Sequence, residues 1–253
     1  MSQRLPLVVL VPGAWHKPTC FKQLQHELRT LGLPSATVAH PSVGSSSVPL
    51  KTLTDDVASP RHTLENISDN GDEIVLLMHS YGGVVGSAAA KDLSISQRRA
   101  QGKSGGILMM IYLAAFALPA GTSLFEAAGG TAPAWWEYRI YSNDSLRSNP
   151  ADVFYNDLTE DAQRYWISQL LPTAAADFEL PSTYEPWKDI TTMYIYTEQD
   201  HAIPLQMQQS MVARIGDVET ASLNSSHSPF LSIPGIVAGL VQGALQQDLR
   251  RNV

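Results

Sequence analysis

The chain has 253 residues, 44% of them hydrophobic and 16% charged, enough for one large α/β domain with a sizeable core or for two small ones. Acidic residues outnumber basic ones, 24 against 17, and the basic ones cluster no further than pairs such as Arg98-Arg99, so nucleic-acid and anionic-membrane binding lack an electrostatic basis. A single cysteine, Cys20, excludes an internal disulfide and Cys-based metal or redox motifs.

In chain order, Leu5–Val11 is an apolar run without a charged leader or a cleavage-like site, and no stretch reaches the length of a membrane span. A cytoplasmic protein is expected. Leu7–Val11 is short enough for a buried strand, and Pro12-Gly13-Ala14-Trp15-His16 ends it with turn chemistry. Phe21, Leu24, Leu28 and Leu31 recur at helical spacing up to Gly32, and Ala36–Ala39 reads as a second strand. Residues 42–50, rich in serine, read as a surface loop placed to overhang a pocket. Thr54-Asp55-Asp56 opens a helix in the acidic style of an N-terminus.

Ile74–Met78 is a buried strand, followed by a sharp break at His79-Ser80-Tyr81-Gly82-Gly83 and a small-residue helix. Ser94–Gly106 is polar and loop-like, and Ile107–Ala115 is another buried strand. Between Pro119 and Ile190 strand-like runs vanish and aromatic residues accumulate, which predicts a helical cap, residues 118–190, inserted into a core made of 1–117 and 191–253. Of its rings Trp135, Trp136, Tyr155 and Trp166 are expected to line a substrate pocket with Trp15 and His16. Thr191–Thr197 and Val218–Leu223 are the last strands, and Ile233–Leu249 a closing helix. Alternating strands and helices predict an α/β fold with a mostly parallel sheet of about six strands.

Ser80 stands on a strand-to-helix turn, where a hydroxyl is held out at the sheet end beside the N–H groups of a new helix. A serine needs a base to take its proton and a third group to orient that base. Asp200 ends a later strand and His227 follows the last one, so the order Ser, Asp, His runs along one sheet edge. His16, His26, His40, His62, His79 and His201 are poorer bases by position. Glu198 competes with Asp200, because alternation puts both on one side of the strand. Backbone N–H groups at Ala14 and Tyr81 are placed to hold an oxyanion.

Together Val9–His16, Met78–Gly83, Tyr194–Asp200 and Ser226–Phe230 resemble the α/β-hydrolase superfamily, and within it the plant methylesterase and hydroxynitrile lyase group with its fungal and bacterial relatives. The resemblance implies an α/β-hydrolase fold, no cofactor and no metal, and Asp200 rather than Glu198 as the acid. Two positions depart from the pattern. Pro12 stands where a histidine often precedes the oxyanion glycine, and Met78 where the elbow has its first glycine. Lyase members carry a lysine after the histidine and a threonine in the oxyanion loop, where this chain has Ser228 and Gly13. Hydrolysis of an ester or lactone of a small apolar molecule is therefore expected. Carbon–carbon bond chemistry on the same triad, a cyclase or acyltransferase, and a ligand-binding role with little turnover stay open, as do substrate identity and oligomeric state.

Overall fold

The computed structural model describes residues 5–131, 136–139, 144–147 and 149–251. Its centre is a parallel sheet of six strands among the described residues, ordered β2-β1-β3-β4-β8-β9. The strands β1 (Leu7–Val11), β3 (Glu73–His79), β4 (Gly106–Leu113) and β8 (Thr191–Thr197) are the runs that read as apolar in the sequence, and they are buried almost throughout. Burial on both faces is what a continuous apolar run demands, since an alternating pattern would leave one face to water. The edge strands β2 (Ser35–Thr37) and β9 (Glu219–Leu223) are correspondingly more polar and less buried.

From β1 the chain runs outward to β2 through α1 (Lys22–Thr30) and returns across to β3 through α2 (Leu53–Asp69). Right-handed crossovers in opposite directions put these two helices on opposite faces of the sheet. The direction reverses between β1 and β3. That reversal opens a crevice beyond their carboxyl ends, where open α/β sheets receive ligands. Register aligns those ends, with Val11 beside Met78, Leu113 beside both His79 and Ile195, and Thr197 beside Leu223.

α2 begins at Leu53, one residue before the Thr54 expected to open it, because Thr52 caps it and the Asp55 side chain closes the reciprocal half of a capping box. After β3 comes α3 (Gly82–Ala89), packed on α2. The polar stretch read as a loop holds a helix, α4 (Ile95–Ala100), whose N-cap Ser94 accepts from Gln97 N–H at 3.1 Å. Its Arg98 side chain is buried and meets Asp69 at 2.8 Å, which is why a polar sequence here is ordered.

Residues 118–190 leave the sheet after β4 and return at β8. They carry α5 (Leu124–Ala127), α6 (Pro150–Tyr155) and α7 (Glu160–Gln169). They also form a small antiparallel sheet from β5 (Trp136–Arg139), β6 (Asp144–Arg147) and β7 (Thr173–Ala174), so the segment is not purely helical as expected. Strands of four and two residues are too short to show a period of two against their surroundings. The chain closes with α8 (Leu205–Ile215), the turn α9 (Pro229–Ser232) and α10 (Pro234–Arg251), which packs on α1. No helix among the described residues is long and apolar enough to cross a membrane.

Candidate active site

Ser80 occupies the turn between β3 and α3 with φ of +54°, a left-handed conformation that costs a non-glycine residue of order 1–3 kcal/mol and persists only where the surroundings impose it. The imposition is visible. The Ser80 carbonyl accepts from Gly83 N–H at 3.0 Å and from Phe116 N–H at 3.1 Å, so the helix start and the loop after β4 both pin the turn. Backbone crowds it from below, because a β-carbon on Gly82 would lie 2.5 Å from the Pro12 carbonyl oxygen.

Met78, which replaces the usual glycine, is fully buried. Its side chain lies over α3 at Gly86, where an added β-carbon would come within 2.5 Å of Sδ and 2.7 Å of Cγ. The small residue stands instead on the helix, one turn in from its start at Gly82. Strand and helix still approach closely, with the small residue supplied by the other partner.

On the far side of the turn His227 and Asp200 meet. His227 Nδ1 donates to Asp200 Oδ2 at 2.8 Å, with both side chains buried. A carboxylate only accepts, so Nδ1 carries a proton, and in the neutral imidazole this leaves Nε2 as the acceptor. Asp200 Oδ2 also accepts from Thr197 Oγ1 at 2.8 Å, and Oδ1 from the N–H groups of Ala202 and Ile203 at 2.8 Å each. Gln208 braces this loop by donating to the Ile203 carbonyl at 2.7 Å. Glu198 is exposed, beyond the strand end. Among the described residues no hydrogen bond joins Ser80 Oγ to His227, and such bonds commonly tighten only when substrate is seated.

Two further histidines hold backbone. His79 Nε2 donates to the His227 carbonyl at 2.8 Å, and its ring packs 4.5 Å from the His227 ring. Burial holds His79 well below the ordinary imidazole pKa, aided by its histidine neighbours, so it stays neutral. His40 Nε2 donates to the Pro12 carbonyl at 2.7 Å and fixes the peptide leading into Gly13. Beside it the Ala14 and Tyr81 N–H groups donate to no acceptor among the described residues. The Tyr81 hydroxyl donates to Asp56 Oδ2 at 3.0 Å, and burial next to that carboxylate pushes its pKa well up.

Ala14, Ser80 and Tyr81 open onto a cavity of about 560 Å³, within the roughly 300–1,000 Å³ usual for small-molecule sites. Trp15 lines it as expected. Three other assignments need correcting. His16 is buried behind the wall, its Nδ1 donating to the Ala14 carbonyl at 2.7 Å and its Nε2 accepting from the Tyr155 hydroxyl at 2.8 Å. That bond turns the fully buried Tyr155 away from the cavity as well. Trp166 packs from α7 onto the core beside Tyr165 rather than into the cavity. Trp135 and the side chain of Trp136 fall outside the described residues. The loop 42–50 does not border the cavity either; Gly44 N–H donates to the Pro172 carbonyl at 2.8 Å. The walls come instead from Phe116, Leu124, Phe154, Phe178, Ile203 and Met207. Phe154 and Phe178 belong to the aromatic run noted in the sequence, but which rings face inward depends on hydrogen bonding that spacing does not show.

An alpha/beta hydrolase of Aspergillus novofumigatus, nvfD, is 30% identical over 243 residues, covering 94% of this chain and 96% of the relative. Tomato methylketone synthase I, solved with 2-tridecanone, superposes with a TM-score of 0.79 at 14% identity, over 97% of this chain and 99% of its own. A methylesterase from Arabidopsis does so with a TM-score of 0.75 at 21% identity, over 96% and 99%. At such identities these two structures speak for the fold alone. The model of the alpha/beta hydrolase family matches residues 8–240, a span holding the turn of Ser80, the Asp200 loop and His227, and the chain belongs to that family.

Proposed function

We propose that the protein is a serine hydrolase that cleaves an ester or lactone of a small, largely apolar organic molecule. One observation carries this reading: the buried Asp200–His227 pair, joined through Nδ1, stands at the same sheet edge as a serine on a strained turn. Ser80 Oγ attacks the acyl carbon while His227 Nε2 takes its proton. The imidazolium that forms lies against the Asp200 carboxylate. The carbonyl electron pair moves onto oxygen, which the Ala14 and Tyr81 N–H groups receive; loss of one such donor typically costs about 10²–10³ in rate. Collapse expels the alcohol with the proton from Nε2 and leaves Ser80 acylated. Water then repeats the sequence, giving its proton to Nε2 and releasing the acid and the Ser80 hydroxyl.

The apolar walls support an apolar acyl or alcohol group, and the chain requires no cofactor for these steps. A fluorophosphonate should label the protein on Ser80, as read by mapping the adduct. Ser80→Ala should abolish labelling and lower turnover of esters by up to about 10⁶. Full ester turnover by that variant would sink the mechanism. Product identification across esters and lactones separates hydrolysis from carbon–carbon cleavage.

A further inference from the structure

The cavity is chemically lopsided. Around Ser80 its walls are aromatic or aliphatic, whereas its polar side chains away from Ser80 come from the stretch that follows β8. Gln206, Ser210 and Arg214 lie four residues apart on α8, which aligns them in one stripe along the helix, with Met207 beside it. Polarity therefore rises along the wall from Met207 to Arg214.

Arg214 differs from other arginines of the chain. Arg61, Arg98, Arg99 and Arg164 each pair with a carboxylate, while Arg214 makes no ion pair or hydrogen bond among the described residues. It sits in the last turn of α8, where the helix dipole favours a cation without any partner. A guanidinium presents a planar fork that matches a carboxylate with two parallel hydrogen bonds. The protein as a whole carries a net charge of −7, so an anion gains nothing from the overall field and needs a local cation.

We propose that the site selects elongated esters whose far end carries a carboxylate, and that Arg214 is the specificity-determining residue that receives it. This rests on the serine-hydrolase reading for the ester end but not for the carboxylate end. The reacting carbonyl lies over Ser80, the apolar middle of the molecule fills the space between Trp15, Phe154 and Met207, and the carboxylate emerges at Arg214. The stripe sets the direction of binding. A half-ester of a dicarboxylic acid meets these demands, and a simple alkanoate ester meets only two of them.

The test is calorimetric binding to the Ser80→Ala protein, which does not depend on turnover. Its ligands are monomethyl half-esters of linear dicarboxylic acids and methyl alkanoates of equal length, with chains of about six to twelve carbons to suit a cavity of this size. The half-ester should bind about tenfold more tightly at the best length, an advantage that shrinks as salt is raised. Adding Arg214→Gln should remove most of that advantage, Arg214→Lys should keep part of it, and Arg214→Glu should reverse it. A preference that is absent, or that survives Arg214→Glu, overturns the proposal. Wild-type turnover of the same esters is read separately. Selective binding without any hydrolysis would refute the hydrolase reading and leave the carboxylate site standing.

Discussion

Two groups of buried carboxylates lie near the cavity, and they are treated oppositely. At the end of β8, Asp200 meets donors on both oxygens: the Ala202 and Ile203 N–H groups, the Thr197 hydroxyl and the His227 imidazole. Between α2 and the segment 175–178, Asp56 is similarly satisfied by Ser42 and Tyr81, but its neighbour Asp177 is not. Asp177 Oδ1 accepts from Leu53 N–H at 2.7 Å, while its buried Oδ2 has no partner. Burial, and then the charge of Asp56, push the Asp177 pKa from its ordinary 3.8 up to about 7. Donors around a buried carboxylate favour its charged form, and a buried oxygen without them raises the pH below which the group holds a proton. Only the first arrangement supplies a fixed anion for an imidazolium to lean on.

The largest expected break in this comparison is Asp200→Asn, which keeps the shape but removes the charge and the preferred imidazole tautomer. Ester kcat/KM should fall by about 10⁴, read from steady-state kinetics. Next is Asp56→Ala, which strands the Ser42 and Tyr81 donors in a buried site. It should lower unfolding free energy by roughly 2–5 kcal/mol in denaturant titrations. Asp177→Asn tests the third carboxyl and acts with the opposite sign. With a folded pKa raised above the unfolded one, wild-type Asp177 leaves stability intact below about pH 4 and erodes it as pH climbs to about 7. The asparagine variant should lose that slope, matching wild type at low pH and melting about 2–4 °C or more higher at pH 8 in thermal scans. The smallest effect belongs to Glu198→Gln. An exposed side chain outside the donor shell should change kcat/KM less than twofold, and a loss equal to that of Asp200→Asn would overturn the choice of acid.

The buried strands were legible because both of their faces must be apolar, and the positions of Ser80, Asp200 and His227 followed from the strand ends. Asp200 and Glu198 share a strand face by alternation, yet the chain turns after Thr197 and only Asp200 folds back under the Ala202 and Ile203 N–H groups. That turn has no signature of its own in a single sequence. Met78 illustrates the same limit. Its fit depends on Gly86, a residue that reads merely as part of a small-residue helix until the two elements are packed together. Tyr155 and His16 were expected in the pocket for their ring types, and a hydrogen bond between them turned both away from it. The short strands β5, β6 and β7 draw their order from pairing with one another, which local periodicity does not report.

The Ala14 donor owes its place to more than its own loop. Its neighbour Trp15, at φ of +64°, donates through its N–H to Thr173 Oγ1 at 2.8 Å, and its carbonyl accepts from Leu171 N–H at 2.9 Å. The peptide bonds beside the candidate oxyanion donor are thus stitched, on both sides, to a strap of the segment that covers the sheet edge. The candidate donor is therefore held by two layers of the molecule at once, the loop after β1 and the segment between β4 and β8. A change at Thr173 or Leu171 reaches Ala14 through the Trp15 peptides without touching Ser80.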